Sequence, residues 1–182
     1  MKRLYVATSW RNVYQPEIVR IAREMGLETY DFRIPEPGIY GFSWKSIDKS
    51  PVKGWSFERY REILAHPIAQ EAFERDMHGL SADATLLVLP AGRSAHWELG
   101  YACGQGQRTA ALYPTDIEMT AIGGHTLHVF DGLTQCEECG GSYQCDLRTK
   151  LRDDFEPELM VKGATDGVLI GEEELRSWLK KI

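Results

Sequence analysis

The chain lacks four things, and each absence argues against a class. No apolar run outlasts the one around Ala84–Leu89, far below the roughly 20 residues that a bilayer-spanning helix needs. There is no excess of basic residues: 21 Lys+Arg stand against 27 Asp+Glu, for a net charge of −6. Without a basic stripe, phosphate-backbone binding and hence a nucleic-acid partner are excluded. Met1-Lys2-Arg3-Leu4 leads into a strand-like run, not the apolar core of a signal peptide. The 17 glycines follow no period, so collagen-like repeats are excluded. What is present is a 43 % apolar composition with five tryptophans in 182 residues, enough to bury a core and incompatible with disorder. The expectation is a soluble, cytoplasmic protein of one domain, residues 1–182, without a membrane partner.

Arg3–Thr8 reads as a strand, and Gln15–Met25 has Ile18, Ile21, Ala22 and Met25 at helical spacing, with Pro16 in the first turn and Gly26 as stop. Leu27–Phe32 reads as a second strand, completing a βαβ unit. Residues 34–54 form a loop rich in Pro, Gly and aromatics; Phe42, Trp44 and Trp55 either close over a ligand or tuck onto the core. Phe57–Ala65 and Pro67–Leu80 read as helices. Ala84–Pro90 is the continuous apolar pattern of a parallel strand buried on both faces. A small-residue helix, Ala95–Gly104, and a short strand, Thr109–Tyr113, follow; Pro157–Lys162, Gly167–Ile170 and Glu172–Lys180 read as helix, strand and helix. Together these predict an α/β doubly wound, flavodoxin- or Rossmann-like parallel sheet of about five strands, with helices on both faces. Residues 114–156 break the rhythm and read as a Cys-containing insertion at the sheet edge. Asp131 to Met160 holds eight acids and three bases, so the negative charge sits there and not at the expected pocket.

In open parallel sheets ligands gather at the carboxyl ends of strands. Three such ends are polar here: Ser9, Trp10, Arg11 and Asn12 after the first strand, Asp31 and Arg33 after the second, and Gly92, Arg93, Ser94, His96 and Glu98 after the most buried one. With Ser94 as N-cap, Glu98 falls at the fourth helical position, one too late for a capping box. A helix amino terminus would keep its carboxylate ionised and nucleophilic. Gly100, Ala102 and Gly104 would let the helix lie close to the sheet, and Cys103 reads as a buried core thiol.

Residues 88–102, VLPAGRSAHWELGYA, resemble the core of the nucleoside 2-deoxyribosyltransferase-like superfamily, which includes nucleotide N-glycosidases and is distantly similar to TIR domains. YVATSWRN, Asp31-Phe32-Arg33, DMHGLSAD and GQRTAALY follow the same order of motifs. The resemblance covers about residues 1–113 and 157–182. It implies a transferase or hydrolase of nucleotide metabolism in which Glu98 attacks the anomeric carbon and forms a glycosyl-enzyme intermediate. By the same resemblance Asp76 would orient the nucleophile or the base. Arg93 and Ser94 would hold a sugar hydroxyl or 5′-phosphate. Ser9, Trp10 and Asp31 would line the base end, with Trp44 closing over it. No acid stands in Pro90-Ala91-Gly92-Arg93, where classical members often carry an Asp, so the donor to the leaving base is left between His96 and Asp76. Arg11, Arg33 and Arg93 suit an anionic substrate. The implied partner is a small nucleoside or nucleotide, the assembly a homo-oligomer, and catalysis requires no cofactor. A TIR-like NAD glycohydrolase and a non-catalytic nucleotide sensor are the alternatives.

In the insertion, Cys136, Cys139 and Cys145 form C-x2-C-x5-C, with His128 and then His125 as a fourth ligand. This spacing fits a structural Zn²⁺ site, although a second CxxC is absent and free cysteines are the plain reading.

Overall fold

The computed structural model describes residues 1–10, 12, 14–35, 41–49, 55–115, 117, 127–130, 133–136, 142–144 and 163–182. Five strands form the main sheet: β1 (Arg3–Ala7), β2 (Glu28–Tyr30), β3 (Ala84–Val88), β4 (Arg108–Tyr113) and β8 (Gly167–Ile170). Their order is β2-β1-β3-β4-β8, and the β1–β3, β3–β4 and β4–β8 ladders are parallel. The uninterrupted apolar runs have their cause here: every residue of β3 is buried, as are Leu4–Ala7 and Thr109–Leu112, because both sheet faces are covered.

Alternation along the strands divides the packing. Leu4, Val6, Leu86, Val88, Ala110 and Leu112 share one core with Ile18, Val19 and Ile21 of α1 (Gln15–Glu24) and with Leu175, Trp178 and Leu179 at the chain end. Helix α4 (Arg93–Gly104) packs on β3, β4 and β1 through Ala95, Leu99 and Ala102, which stand outside that core and so cover the opposite face. The architecture is the doubly wound α/β sheet that the pattern predicts. Helix α1 stops at Gly26, whose φ of 85° suits glycine and few other residues.

Within the insertion, β5 (Leu127–Phe130), β6 (Leu133–Cys136) and β7 (Ser142–Gln144) form a separate antiparallel sheet. The helix expected over residues 157–162 lies outside the described residues.

The chain divides into two compact units, Met1–Thr29 with Ala82–Ile182, and Tyr30–Ser81. The second holds a 3-10 turn (Trp44–Ser46), α2 (Phe57–Leu64) and α3 (Pro67–Leu80). Ser56 caps α2 by accepting from the Arg59 N–H, and His66 Nδ1 caps α3 by accepting from the Ile68 N–H. Helix α3 buries Ala69, Ala72, Gly79 and Leu80, whereas α2 buries Ile63 and leaves Phe57 and Tyr60 exposed.

Helix α5 (Gly171–Leu179) closes the chain with Glu172, Glu173 and Glu174 in its first turn, where acidic groups oppose the helix dipole favourably. Among the described residues no helix is long and apolar enough to cross a membrane.

Candidate active site

The chain leaves β1 toward β2 on one side and reaches β3 on the other, so the order of strands reverses between β1 and β3. In such sheets that reversal opens a crevice beyond the carboxyl ends. Its two rims are stitched by short polar side chains. Thr8 Oγ1 donates to the Val88 carbonyl at 2.7 Å, and Asn12 Nδ2 donates to the carbonyls of Val88 and Pro90, each at 3.1 Å. Asn12 Oδ1 accepts from the Tyr14 N–H at 2.9 Å. Asn12 is therefore a clamp within the crevice wall, its amide committed to the backbone.

Helix α4 rises from the β3 rim. Its N-cap is Gly92, in extended conformation and without a side-chain cap, which corrects the assignment of Ser94 to that role. The helix thus begins at Arg93, two residues earlier than expected, and Glu98 stands in the second turn, not the first. The dipole argument for an ionised Glu98 weakens accordingly, because that field fades beyond the first turn. Glu98 is half-buried, while Gly92, Arg93 and Ser94 are exposed.

His96 is half-buried and its Nδ1 lies 2.9 Å from the Gly92 carbonyl. A carbonyl oxygen only accepts, so Nδ1 carries the proton and Nε2 is left for other work. On the β1 rim, Ser9 is half-buried and Trp10 is 49 % exposed; Arg11 lies outside the described residues.

Two packing expectations are corrected on α4. Gly100 and Gly104 do not bring the helix to the sheet: both are exposed, and a Cβ built on either meets nothing within 4 Å. The sheet side is made by Ala95, Leu99 and Ala102. Cys103 is half-buried, not a core thiol, with its Sγ donating to the Ala164 carbonyl at 2.9 Å.

The other expected site residues belong to the second unit. Asp31 is buried and Oδ1 accepts from the Arg33 N–H at 2.9 Å, an Asx-type turn that ends β2. The Arg33 guanidinium lies 5.8 Å from the centre of the Phe32 ring. Trp44 is half-buried, edge-on to Phe42 at 4.7 Å and to Trp55 at 5.8 Å, so the loop aromatics pack on one another. Asp76, on α3, accepts at Oδ1 from the Tyr30 hydroxyl at 2.8 Å. Burial lifts the Asp76 carboxyl above its ordinary pKa, against the opposing pulls of the Tyr30 hydrogen bond and the Arg75 charge. Neither Tyr30 nor the clamping role of Asn12 was visible in the sequence, since their partners lie 46 and 76 residues away.

The expected metal ligands are only partly within view. Cys139, Cys145 and His125 lie outside the described residues; Cys136 ends β6, and the ladder sets Leu127, not His128, opposite it. Among the described residues no cluster of His, Cys, Asp or Glu could hold a metal ion.

The fold and the crevice define a doubly wound α/β protein with its polar site at the β1–β3 switch point. No family model matches the sequence, and no curated protein matches it. Among solved structures it is similar to a conserved protein from Enterococcus faecalis V583, at 16 % identity, with a TM-score of 0.51 over 100 % of this chain and 98 % of that one. That likeness is one of fold. A 2-deoxyribosyltransferase from Bacillus psychrosaccharolyticus also matches, at 20 % identity, with a TM-score of 0.34 over 65 % of this chain and 77 % of that one.

Proposed function

We propose that the protein cleaves or transfers the N-glycosidic bond of a nucleoside or nucleotide, with Glu98 as nucleophile. The observation that carries the reading is the position of Glu98: half-buried, on the helix that leaves the most buried strand beside the switch point. The motif resemblance of residues 88–102 supports the choice of reaction. The Glu98 carboxylate attacks the anomeric carbon as the bond to the base nitrogen breaks, and the electron pair leaves with the base, which takes up a proton. Water or the nitrogen of a second base then attacks the glycosyl ester and frees the carboxylate. Splitting one displacement into two is the logic of retaining glycosidases. The exposed start of α4, Gly92 to Ser94, offers backbone N–H groups and the Arg93 charge to a 5′-phosphate.

The test is release of free base from a panel of nucleosides, nucleotides and NAD, with wild type, Glu98→Ala and Glu98→Gln. Loss of a nucleophile lowers turnover by roughly a thousandfold or more. Release that survives both substitutions overturns the mechanism. Ligand-dependent thermal stabilisation without any turnover would instead mark a sensor, and cleavage confined to NAD would mark the TIR-like alternative.

A further inference from the structure

Asn12 sits in the turn that leaves β1 and is 1 % exposed. Each hydrogen of its amide goes to a carbonyl, Val88 and Pro90, both at 3.1 Å. The other end of the amide accepts from the Tyr14 N–H at 2.9 Å. Carbonyls only accept and an N–H only donates, so the position demands two donors and one acceptor from one short side chain. Ionised aspartate has the same shape but no hydrogen to give, and serine or threonine has one. The Asn12 backbone N–H also donates to the Ser9 carbonyl at 2.9 Å. One residue thus closes the turn that carries Ser9 and Trp10 and grips the rim opposite.

The rim that it grips is the entry to α4. Leu89–Gly92 joins β3 to the helix. The Leu89 N–H ties this segment to β4 by donating to the Leu112 carbonyl at 3.0 Å, and Asn12 ties it to the β1 side. Ala95, Leu99 and Ala102 hold α4 down on the sheet, but apolar contact is non-directional and resists sliding along the helix axis less than a hydrogen bond does. Gly92 brings no side-chain cap to the helix start. The axial position of α4 therefore rests on the entry segment, and Glu98 in the second turn moves with it.

We infer that Asn12 is a positioning residue for the reaction proposed above, on which this inference rests. By holding the Val88 and Pro90 carbonyls it fixes where the Glu98 carboxylate stands relative to the Ser9–Trp10 turn. Asn12 passes no proton, and the covalent step stays that of Glu98. A nucleophile works from about 3–3.5 Å, and a misplacement of about 1 Å costs on the order of a hundredfold. That sensitivity gives the clamp its kinetic weight. Without Asn12, the Thr8 hydroxyl still donates to the Val88 carbonyl at 2.7 Å, so the loss falls on the Pro90 carbonyl and the entry to α4, not on the β1–β3 pairing.

The test is base release by the full chain in wild type, Glu98→Gln, Asn12→Asp, Asn12→Ala and Leu175→Ala, with each rate divided by the folded fraction from circular dichroism. Asn12→Asp keeps the shape and the acceptor for Tyr14 but sets an ionised oxygen against two carbonyls. Leu175, fully buried on α5, serves as a control that loses packing alone. Per folded enzyme, kcat falls on the order of a hundredfold in both Asn12 variants, KM changes by no more than about threefold, and Leu175→Ala keeps the wild-type kcat. Asn12 variants that turn over at the wild-type rate, while Glu98→Gln does not, overturn the positioning role and leave the reaction standing. A kcat that falls equally in Leu175→Ala also overturns it, since lost stability then accounts for the effect. A wild type that releases no base, or a Glu98→Gln that releases it undiminished, overturns the reaction and the positioning role with it.

Discussion

Asn12 is 1 % exposed and engages two carbonyls and one backbone N–H with one short amide. Replacing it with alanine takes the side-chain partner from the Pro90 carbonyl and the Tyr14 N–H, while the Val88 carbonyl keeps the Thr8 hydroxyl. Such groups cost roughly 1–3 kcal/mol each when left unpaired, and relaxation recovers part of that. Asn12→Ala is therefore expected to destabilise the fold by about 3 kcal/mol, read from urea unfolding. In the sequence this residue looked like a possible ligand contact, since an Asn after a strand suits either role. Glu98 is the contrasting case. Its residue type and its place after a buried strand were legible, but its turn of the helix was not. The helix start depended on Gly92 taking an extended conformation, which no side-chain cap signalled.

At the scale of the element, the glycines separate into those that the packing uses and those that it does not. Gly79 lies under an aromatic ring, whereas Gly100 faces open space in mid-helix without a positive φ. Alanine at Gly100 removes backbone freedom from the unfolded chain and meets no neighbour, so it stabilises α4 by about 0.5–1 kcal/mol. Thermal unfolding of Gly100→Ala should show a raised Tm; a fall would mean that the helix backbone is closely approached at that point. Sequence spacing marked both as helical glycines, but it could not say which side of the helix carried a neighbour. Strand β3 behaves as its pattern promised: Leu86 is fully buried, and Leu86→Ala should cost about 3 kcal/mol in equilibrium unfolding.

For the whole molecule, two carboxylates pull the pH dependence of stability in opposite directions. Asp83 accepts from the Arg3 N–H and from Lys2 Nζ, which hold its pKa below the usual value. Its contribution is present above the unfolded-state pKa and is lost as pH falls through the lower folded value. Asp76 is the reverse: its folded pKa is raised by burial, so the folded state binds the proton more tightly and stability falls as pH rises through that window. Asp76→Asn keeps an acceptor for Tyr30 and removes the charge. The variant should gain in Tm relative to wild type as pH rises above the ordinary carboxylate range, and a difference that does not change with pH would contradict the buried-acid account.

The order and type of the main elements are legible along the chain, because apolar periodicity, prolines at helix starts and a glycine stop act within a few residues of one another. The carboxyl ends of β1 and β3 are legible as polar in the same way, since side-chain type is local information. Packing between distant segments sets the rest: Asn12 closes the β1–β3 rim, Tyr30 donates to Asp76, and Gly100 and Gly104 look outward from α4. Each of these depends on which face of a helix or loop meets a distant segment. That choice is made when the sheet buries its two faces, and no spacing within a single element encodes it.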